Sequence, residues 1–290
     1  MRKVKKKRNI LAILLISIFF ITVNGSALSA AEGVVLNTGT ADRGYVSVKI
    51  TKSTSKKLRV KITKGDKSYT YAVDTREEYK LPLQMGNGAY SVKVLENIEG
   101  NKYATLESAD VTASISDPMA PYKISHMLID YEHAPKTTGA AKNITAGASN
   151  DLLKLEDVYA NVVETIKYNH TLASQITSGT VTTYVPEIDA VYTSGQGICF
   201  DYSAVMASML RSQGIPTRMV FGYVAPKNIY HAWNEVYITT AGWVKVRGEV
   251  PIGSNDWSRM DATFAAASSS GGVMSSFIGN GSNYRATDFY

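Results

Sequence analysis

The chain contains one cysteine, Cys199, so no disulfide bond within the chain can hold its fold together. The fold must therefore be stabilised by hydrophobic cores alone. In an oxidising compartment an unpaired thiol is a liability, and a leftover cysteine there indicates a reactive or an intermolecular role. The compartment in which the chain resides therefore decides how Cys199 is interpreted.

The N-terminus predicts a secretory signal peptide over residues 1–31. Six basic residues lie within Met1–Arg8, an almost unbroken apolar run follows over Ile10–Val23, and small residues stand near the expected cleavage site. This order of segments is typical of an export signal. The apolar run is shorter than the roughly 20 residues that a membrane-spanning helix needs, which favours a cleaved signal over an anchor. We expect a secreted protein, extracellular or associated with the cell wall, with no membrane attachment after cleavage.

Loss of the signal peptide changes the net charge. The full chain has 31 basic and 25 acidic residues, a net charge of +6. All six charged residues of the leader are basic, so the mature chain keeps 25 residues of each sign. A protein without net charge has no electrostatic reason to bind nucleic acid or an anionic membrane, and we expect neither partner.

Residues 33–117 predict a small all-β domain. In four runs, apolar residues alternate with Lys, Ser or Thr, as in strands that cover a core with one face. Strands of this length, separated by glycine-containing turns, favour an immunoglobulin-like β-sandwich. The domain has no His and no Cys, so we expect a spacer or a binding module. The four runs are Tyr45–Ile50, Leu58–Ile62, Tyr69–Val73 and Tyr90–Val94.

Residues 118–150 are interpreted as a linker. Their three prolines disfavour helix, and residues 137–150 are rich in Gly, Ala, Thr and Asn. His126 and His133 fall in this segment, with two carboxylates between them. Their spacing matches no known metal-ligand pattern, so we predict no metal site.

Two helices are expected in the remainder of the chain. Apolar residues at helical spacing over Leu152–Ile166 predict a first helix, with Asn150 or Asp151 as its cap. A second helix should begin near Cys199 and end before Pro216, which forbids its continuation.

Strands should follow these helices within residues 151–290. Helices followed by an antiparallel meander indicate an α+β domain. The expected strands are 219–224, 232–238 and 243–246.

Cys199 follows two glycines and should lie in the first turn of its helix. Gly195 and Gly197 allow a tight turn with exposed backbone N–H groups. The partial positive charge of a helix N-terminus favours a thiolate. The same N–H groups can face the oxyanion that forms at an attacked carbonyl, where each donor is typically worth a factor of about 10² to 10³ in rate.

The order Cys199, His231, Asp261 is that of a nucleophile, its base and the residue that orients the base. His231 stands at the start of a predicted strand, from which one ring nitrogen can reach the sulfur. Asp261 would accept a hydrogen bond from the other ring nitrogen. Each residue alone has a structural explanation, such as a buried thiol or a surface carboxylate, but their joint occurrence in a chain with one cysteine favours catalysis.

Several segments between residues 155 and 265 resemble the transglutaminase-like superfamily, and they follow one another in the order of that family. The resemblance implies a papain-like core of helices and antiparallel sheet. It also implies that Cys199 is the nucleophile, His231 the base and Asp261 the orienting residue. The segments are Gly197–Ser203, Met209–Arg218, Gly222–Tyr223, His231–Tyr237, Gly242–Trp243 and Asp261–Phe264.

The chain departs from the family near the third residue of this set. The family usually has Asp-Pro-Thr or Asp-Thr-Thr where this chain has Asp-Ala-Thr at 261–263, which keeps the carboxylate. Residues 247–257 resemble an inserted hairpin, and a shift of register there would make Asp256 the orienting residue. For the side chain that donates to the oxyanion, Gln196 and Tyr192 are both near enough in sequence, and the choice stays open.

The resemblance implies acyl transfer through a thioester, with protein or peptide amides as substrates. Transferase and peptidase or amidase remain alternatives within this class. The family also has members without activity, so a catalytically inactive cell-surface binding or adhesion protein is the other candidate. The sequence has no phosphate loop, calcium loop or zinc-ligand spacing, so we expect no cofactor. We expect a monomer.

Overall fold

The computed structural model describes residues 28–75, 78–239, 244–246, 250–252, 256–269 and 282–290. Most of the predicted signal peptide, with its apolar run, lies outside these ranges, and the signal peptide stays a prediction. Its last residues, Leu28–Ala31, form the first strand, β1. Within the described ranges, no helix combines the length and the apolar character needed to cross a membrane.

The N-terminal region consists of two antiparallel sheets of four strands. The strands after β1 are β2 (Val34–Asn37), β3 (Tyr45–Ile50), β4 (Leu58–Lys64), β5 (Lys67–Val73), β6 (Glu78–Pro82), β7 (Gly88–Glu99) and β8 (Lys102–Ala113). The strand orders are β1–β2–β3–β6 in the first sheet and β5–β4–β7–β8 in the second. The four runs expected from the sequence correspond to β3, β4, β5 and β7.

Alternating side chains build the core between these sheets. In β5, Tyr69, Tyr71 and Val73 are buried while the residues between them are exposed. Buried apolar residues of both sheets form a single cluster. Strand β8 was not expected, because most of its side chains are only partly covered and its sequence alternates weakly.

The C-terminal region contains six α-helices within the described ranges, and two of them match the expected helices. Asn150 accepts a hydrogen bond from the N–H of Leu153 at 3.0 Å, which identifies it as the cap of the first expected helix. The second expected helix begins at Cys199, and Gly214 follows its end in the left-handed conformation, with φ of 79°. The helices are α1 (Pro135–Ile144), α2 (Asp151–Thr165), α3 (His170–Thr177), α4 (Ile188–Ser194), α5 (Cys199–Ser212) and α6 (Ala262–Ser269).

Helix α1 lies inside the segment that the sequence assigned to a linker. The expectation that its prolines exclude helix is wrong here, because Pro135 occupies the first turn, where its missing N–H has no intrahelical partner to lose. Ala141 is fully buried in the second hydrophobic core. The Oδ1 atom of Asp189 accepts from the backbone N–H and from the hydroxyl of Thr137, at 2.8 Å each, and so ties α1 to α4.

Helix α5 packs against an antiparallel sheet of four strands with the order β15–β12–β11–β16. The expected α+β class is confirmed. The strands of this region are β9 (Lys167–Tyr168), β10 (Gln196–Gly197), β11 (Thr217–Val224), β12 (Ile229–Ile238), β13 (Val244–Val246), β14 (Val250–Ile252), β15 (Asp256–Met260) and β16 (Tyr284–Phe289).

The strand that pairs with β12 is not the one expected from the sequence. Residues 244–246 form a strand, but β13 pairs with β14 in a separate hairpin. The inserted hairpin therefore spans 244–252 rather than 247–257, and β15 takes the place beside β12. Trp243 and residues 247–249 lie outside the described ranges. The prediction failed because the pairing partner of β12 follows the insertion.

The two regions meet at Tyr290. Its ring makes edge contacts with Tyr69 and Tyr71 of β5, with ring centroids 5.2 and 5.8 Å away. The same ring makes an edge contact with Phe221 of β11 at 5.7 Å. The buried guanidinium of Arg211 donates to the carbonyl oxygen of Tyr290 at 3.0 Å. One side chain thus packs against both regions of the chain.

Tyr290→Ala should lower the free energy of unfolding by about 2 kcal/mol, because a half-buried ring with three aromatic neighbours is lost. Tyr290→Phe keeps the ring and should stay close to the parent chain. Urea denaturation measures both values. Equal stability of the alanine variant and the parent would contradict the role given to this contact.

Candidate active site

The N-terminus of α5 is fixed by a buried carboxylate. Asp201 accepts from the backbone N–H of Ile198 at 2.7 Å and from the hydroxyl of Tyr184 at 2.6 Å. Burial raises the pKa of Asp201 and outweighs these two hydrogen bonds, which lower it. Cys199 is the first residue of this helix and is half-buried. The sulfur therefore lies at the positive end of a helix whose start is held by two hydrogen bonds.

The two glycines before Cys199 are needed for different reasons. Gly195 ends α4 in the left-handed conformation, with φ of 62°. Gly197 lies so close to Asp201 that a Cβ atom there would be 2.6 Å from the Cβ of Asp201. The carbonyl oxygen of Gly197 also accepts from the N–H of Asn169 at 2.8 Å, in the parallel pair of β9 and β10. The backbone that leads into Cys199 is therefore packed against Asp201 on one side and against β9 on the other.

His231 lies on β12 and is almost completely buried. Its ring stacks on that of Phe264 in α6, with centroids 4.3 Å apart and an angle of 10° between the planes. On β11 the residue opposite His231 is Gly222. The packing against Phe264 limits rotation of the imidazole.

Asp261 holds one ring nitrogen of His231. The distance from His231 Nε2 to Asp261 Oδ2 is 2.8 Å, and both side chains are buried. Oδ1 of Asp261 accepts from the N–H of Phe264 at 3.0 Å, and Oδ2 also accepts from the hydroxyl of Tyr284 at 2.7 Å. The other ring nitrogen, Nδ1, is left for Cys199.

The register of β15 explains why Asp261 reaches His231. Asn234 of β12 pairs with Met260, so Asp261 directly follows the end of β15 on the side of His231. Asp256, the alternative considered from the sequence, pairs with Ile238 at the opposite end of β15. The insertion therefore leaves Asp261 as the partner of His231.

The charges of the site follow from burial and from these contacts. Burial opposes a charged imidazole, but the charge and hydrogen bond of Asp261 and the contact with Cys199 prevail and raise the pKa of His231 to about 10. Burial also opposes a charged carboxylate, but His231 and the donors Phe264 and Tyr284 prevail and lower the pKa of Asp261. At neutral pH the pair is therefore an imidazolium and a carboxylate, and Cys199 lies close enough to the imidazole to contribute to this shift.

Two tyrosines near Cys199 were not singled out from the sequence. Burial raises the pKa of Tyr168 and of Tyr230, and both side chains lie close enough to Cys199 to interact with it electrostatically. Both side chains are partly exposed. The chain has 18 tyrosines, and no local pattern marks these two.

The other residues considered from the sequence have the following surroundings. The hydroxyl of Tyr192 donates to Asn161 at 3.1 Å, and Gln196 is exposed on β10. His126 is buried, whereas His133 is exposed and contacts Asp130. Across the ranges that the structure describes, no three His, Cys, Asp or Glu side chains are grouped to hold a metal ion.

Gly197→Ala should destabilise the fold by about 1–3 kcal/mol, because the added methyl group would lie 2.6 Å from the Cβ of Asp201 and must displace this side chain. Gly139→Ala is the matched control. It lies in α1 with no atom within 4 Å of an added Cβ, and alanine there should stabilise the fold by up to about 1 kcal/mol. Thermal unfolding of both variants checks the prediction, which fails if the two substitutions have the same effect.

The histidine signals should separate in an NMR titration of the four histidines. His231 should titrate near pH 10, whereas His126 should stay neutral, because burial and the charge of Arg211 hold its pKa well below the usual value. A midpoint for His231 near 6.5 would contradict the ion pair.

The same shift predicts a pH dependence of stability. The pKa of His231 is raised on folding from about 6.5, so its contribution is complete below that pH and is lost as the pH rises through about 10. The free energy of unfolding should therefore fall more steeply over this window in the parent than in His231→Gln. Parallel curves for the two proteins would rule this contribution out.

Residues 138–247 match a family model described as the transglutaminase-like superfamily. This segment contains Cys199 and His231, and Asp261 follows it. No curated protein matches the chain.

Several solved structures are similar to this chain. The crystal structure of a TGase is 18% identical, with a TM-score of 0.32, and the match covers 46% of this chain and 31% of that one. The periplasmic domain of TgpA from Pseudomonas aeruginosa is 12% identical, with a TM-score of 0.38 and coverage of 87% and 99%. Red sea bream transglutaminase is 12% identical, with a TM-score of 0.26 and coverage of 76% and 48%.

This chain thus spans about a third of the length of the first of these proteins. Since all three TM-scores are below 0.5, the family match rests on residues 138–247. At the level of the superfamily, this core supports a cysteine-dependent acyl-transfer or protease-like function. The resemblance found in the sequence is confirmed, since residues 138–247 match the model of the transglutaminase-like superfamily.

Proposed function

We propose that the protein is an extracellular enzyme that transfers acyl groups from protein or peptide amides through a thioester on Cys199. One observation carries the proposal: a half-buried sulfur at a helix N-terminus contacts an imidazole that a buried carboxylate holds in its charged form. A protonated imidazole beside a thiol favours the thiolate, which is the nucleophilic form. The predicted leader supports an extracellular location.

In the first half of the reaction, the sulfur of Cys199 attacks the carbonyl carbon of a carboxamide or peptide bond and a C–S bond forms. The first N–H groups of a helix have no intrahelical partners, so those at the start of α5 are available to the oxyanion. The imidazolium of His231 then gives its Nδ1 proton to the amide nitrogen. The C–N bond breaks, ammonia or an amine leaves, and the acyl group remains on sulfur.

In the second half, neutral His231 takes a proton from the incoming nucleophile. That nucleophile is water in a hydrolase and a lysine amine in a cross-linking transferase. It attacks the thioester carbon, the C–S bond breaks, and the thiolate and imidazolium are restored. Asp261 keeps Nδ1 directed at the reaction because it holds Nε2 in both halves.

The reactivity of Cys199 tests the proposal without knowledge of the substrate. At pH 6, iodoacetamide should alkylate the folded protein at least about tenfold faster than the urea-unfolded chain, in which the thiol is almost fully protonated. Because the chain has one cysteine, the labelled mass reports Cys199 alone. His231→Gln should lose the advantage of the folded state.

Two outcomes would overturn the proposal. One is equal alkylation of the folded and unfolded chains. The other is a Cys199→Ala variant that keeps the amide-cleaving or cross-linking activity of the parent. Incubation with a glutamine-bearing protein and a fluorescent amine separates the two reaction types, because a transferase incorporates the label whereas a hydrolase releases ammonia or cleaves the chain.

A further inference from the structure

We propose that Tyr284 is a positioning residue, which acts on the reaction by holding the carboxylate of Asp261 towards His231. Tyr284 lies on β16, outside the segment that matches the family model. The inference rests on the proposed function and extends it to a fourth side chain.

The hydrogen bonds of Asp261 fix both of its carboxylate oxygens. The hydroxyl of Tyr284 donates to Oδ2 at 2.7 Å, the same oxygen that faces His231 Nε2 at 2.8 Å. The N–H of Phe264 donates to Oδ1 at 3.0 Å. Rotation of the carboxylate about its Cβ–Cγ bond would lengthen these bonds together. Tyr284 and Phe264 therefore select the orientation in which Oδ2 meets the imidazole.

Tyr284 is itself held in place by its surroundings. Its ring meets that of Trp233 edge-on, with centroids 5.0 Å apart and an angle of 81° between the planes. It also packs against the buried pair of Val224 and Phe264. β16 pairs with β11, and β11 pairs with β12, the strand of His231. Tyr284 and His231 therefore lie on the same sheet. The hydroxyl thus has a fixed direction.

The hydroxyl also acts on the charge of the carboxylate. A buried carboxylate is stabilised as the anion by each hydrogen bond that it accepts. The hydrogen bond from Tyr284 contributes to the lowered pKa of Asp261, in the same direction as His231. From α2, the hydroxyl of Tyr159 reaches Asp261 as well, but it donates to the backbone carbonyl oxygen at 3.4 Å. Tyr284 and Tyr159 therefore contact different parts of one residue.

This difference provides a matched control. Tyr284→Phe and Tyr159→Phe each remove one hydroxyl beside Asp261 and keep the ring. Only the first should affect the carboxylate. A loss of activity caused by general loosening of the site would appear in both variants.

The first measurement is the titration of the Asp261 carboxyl carbon by NMR, identified by comparison with Asp261→Asn. In Tyr284→Phe the midpoint should move to higher pH, because the anion has lost a donor. In Tyr159→Phe it should stay where the parent has it. A tyrosine that serves packing alone would not move this midpoint.

The second measurement is the rate of Cys199 alkylation at pH 6, with the thermal unfolding midpoint recorded for each protein. We expect Tyr284→Phe to be slowed about tenfold, the effect of losing one hydrogen bond to a charged group. Tyr159→Phe should keep the parent rate. If both variants are slowed equally, or if Tyr284→Phe retains the parent rate and the parent Asp261 midpoint, the inference is wrong.

The inference can fail while the proposed function stands. If the parent protein is alkylated fast and Tyr284→Phe behaves like the parent, only the role of Tyr284 is disproved. If the folded parent protein is alkylated no faster than the unfolded chain, the proposed function itself is disproved.

Discussion

The buried pair of His231 and Asp261 is the interaction on which the site depends. Moving two charged groups out of water is costly, and such a pair is tolerated only where further hydrogen bonds satisfy it. Here the donors come from different elements: Phe264 lies in the first turn of α6, and Tyr284 lies on β16. The register between β12 and β15 then places the carboxylate beside the imidazole. Residues of three elements, β12, α6 and β16, thus contribute to the burial and hydrogen bonding of one ion pair.

Cys199 belongs to a separate element, α5, which packs against the sheet that carries His231. The side-chain amide of Asn234 on β12 donates to the carbonyl oxygen of Ser203 in α5 at 3.0 Å. This bond joins the strand of His231 to the helix of Cys199. At the helix start, Asp201 and the absent Cβ of Gly197 set the position of the sulfur. The site is thus assembled from a sheet and a helix that are joined by a hydrogen bond.

Local signals made part of this structure predictable from the sequence. The start and end of α5 are marked by glycines and by Pro216, and Asn150 caps α2 through its own side chain. Long-range contacts have no comparable signal in the local sequence. Nothing in the sequence shows that β15, after an insertion, pairs with β12, or that Tyr284 reaches Asp261. The helix at 135–144 was missed because proline in a first turn looks the same in sequence as proline that ends a helix.

The aromatic contact at Tyr290 limits how the two halves of the chain can be exchanged. Alone, the N-terminal half would present Tyr69 and Tyr71 to water, and the C-terminal half would present Phe221 with Tyr290. Contiguous aromatic surface of this kind favours self-association. A recombinant that joins the C-terminal half to another β domain should remain soluble only if the new domain offers an equivalent aromatic contact surface. The aromatic contact therefore makes the two halves a matched pair rather than interchangeable modules.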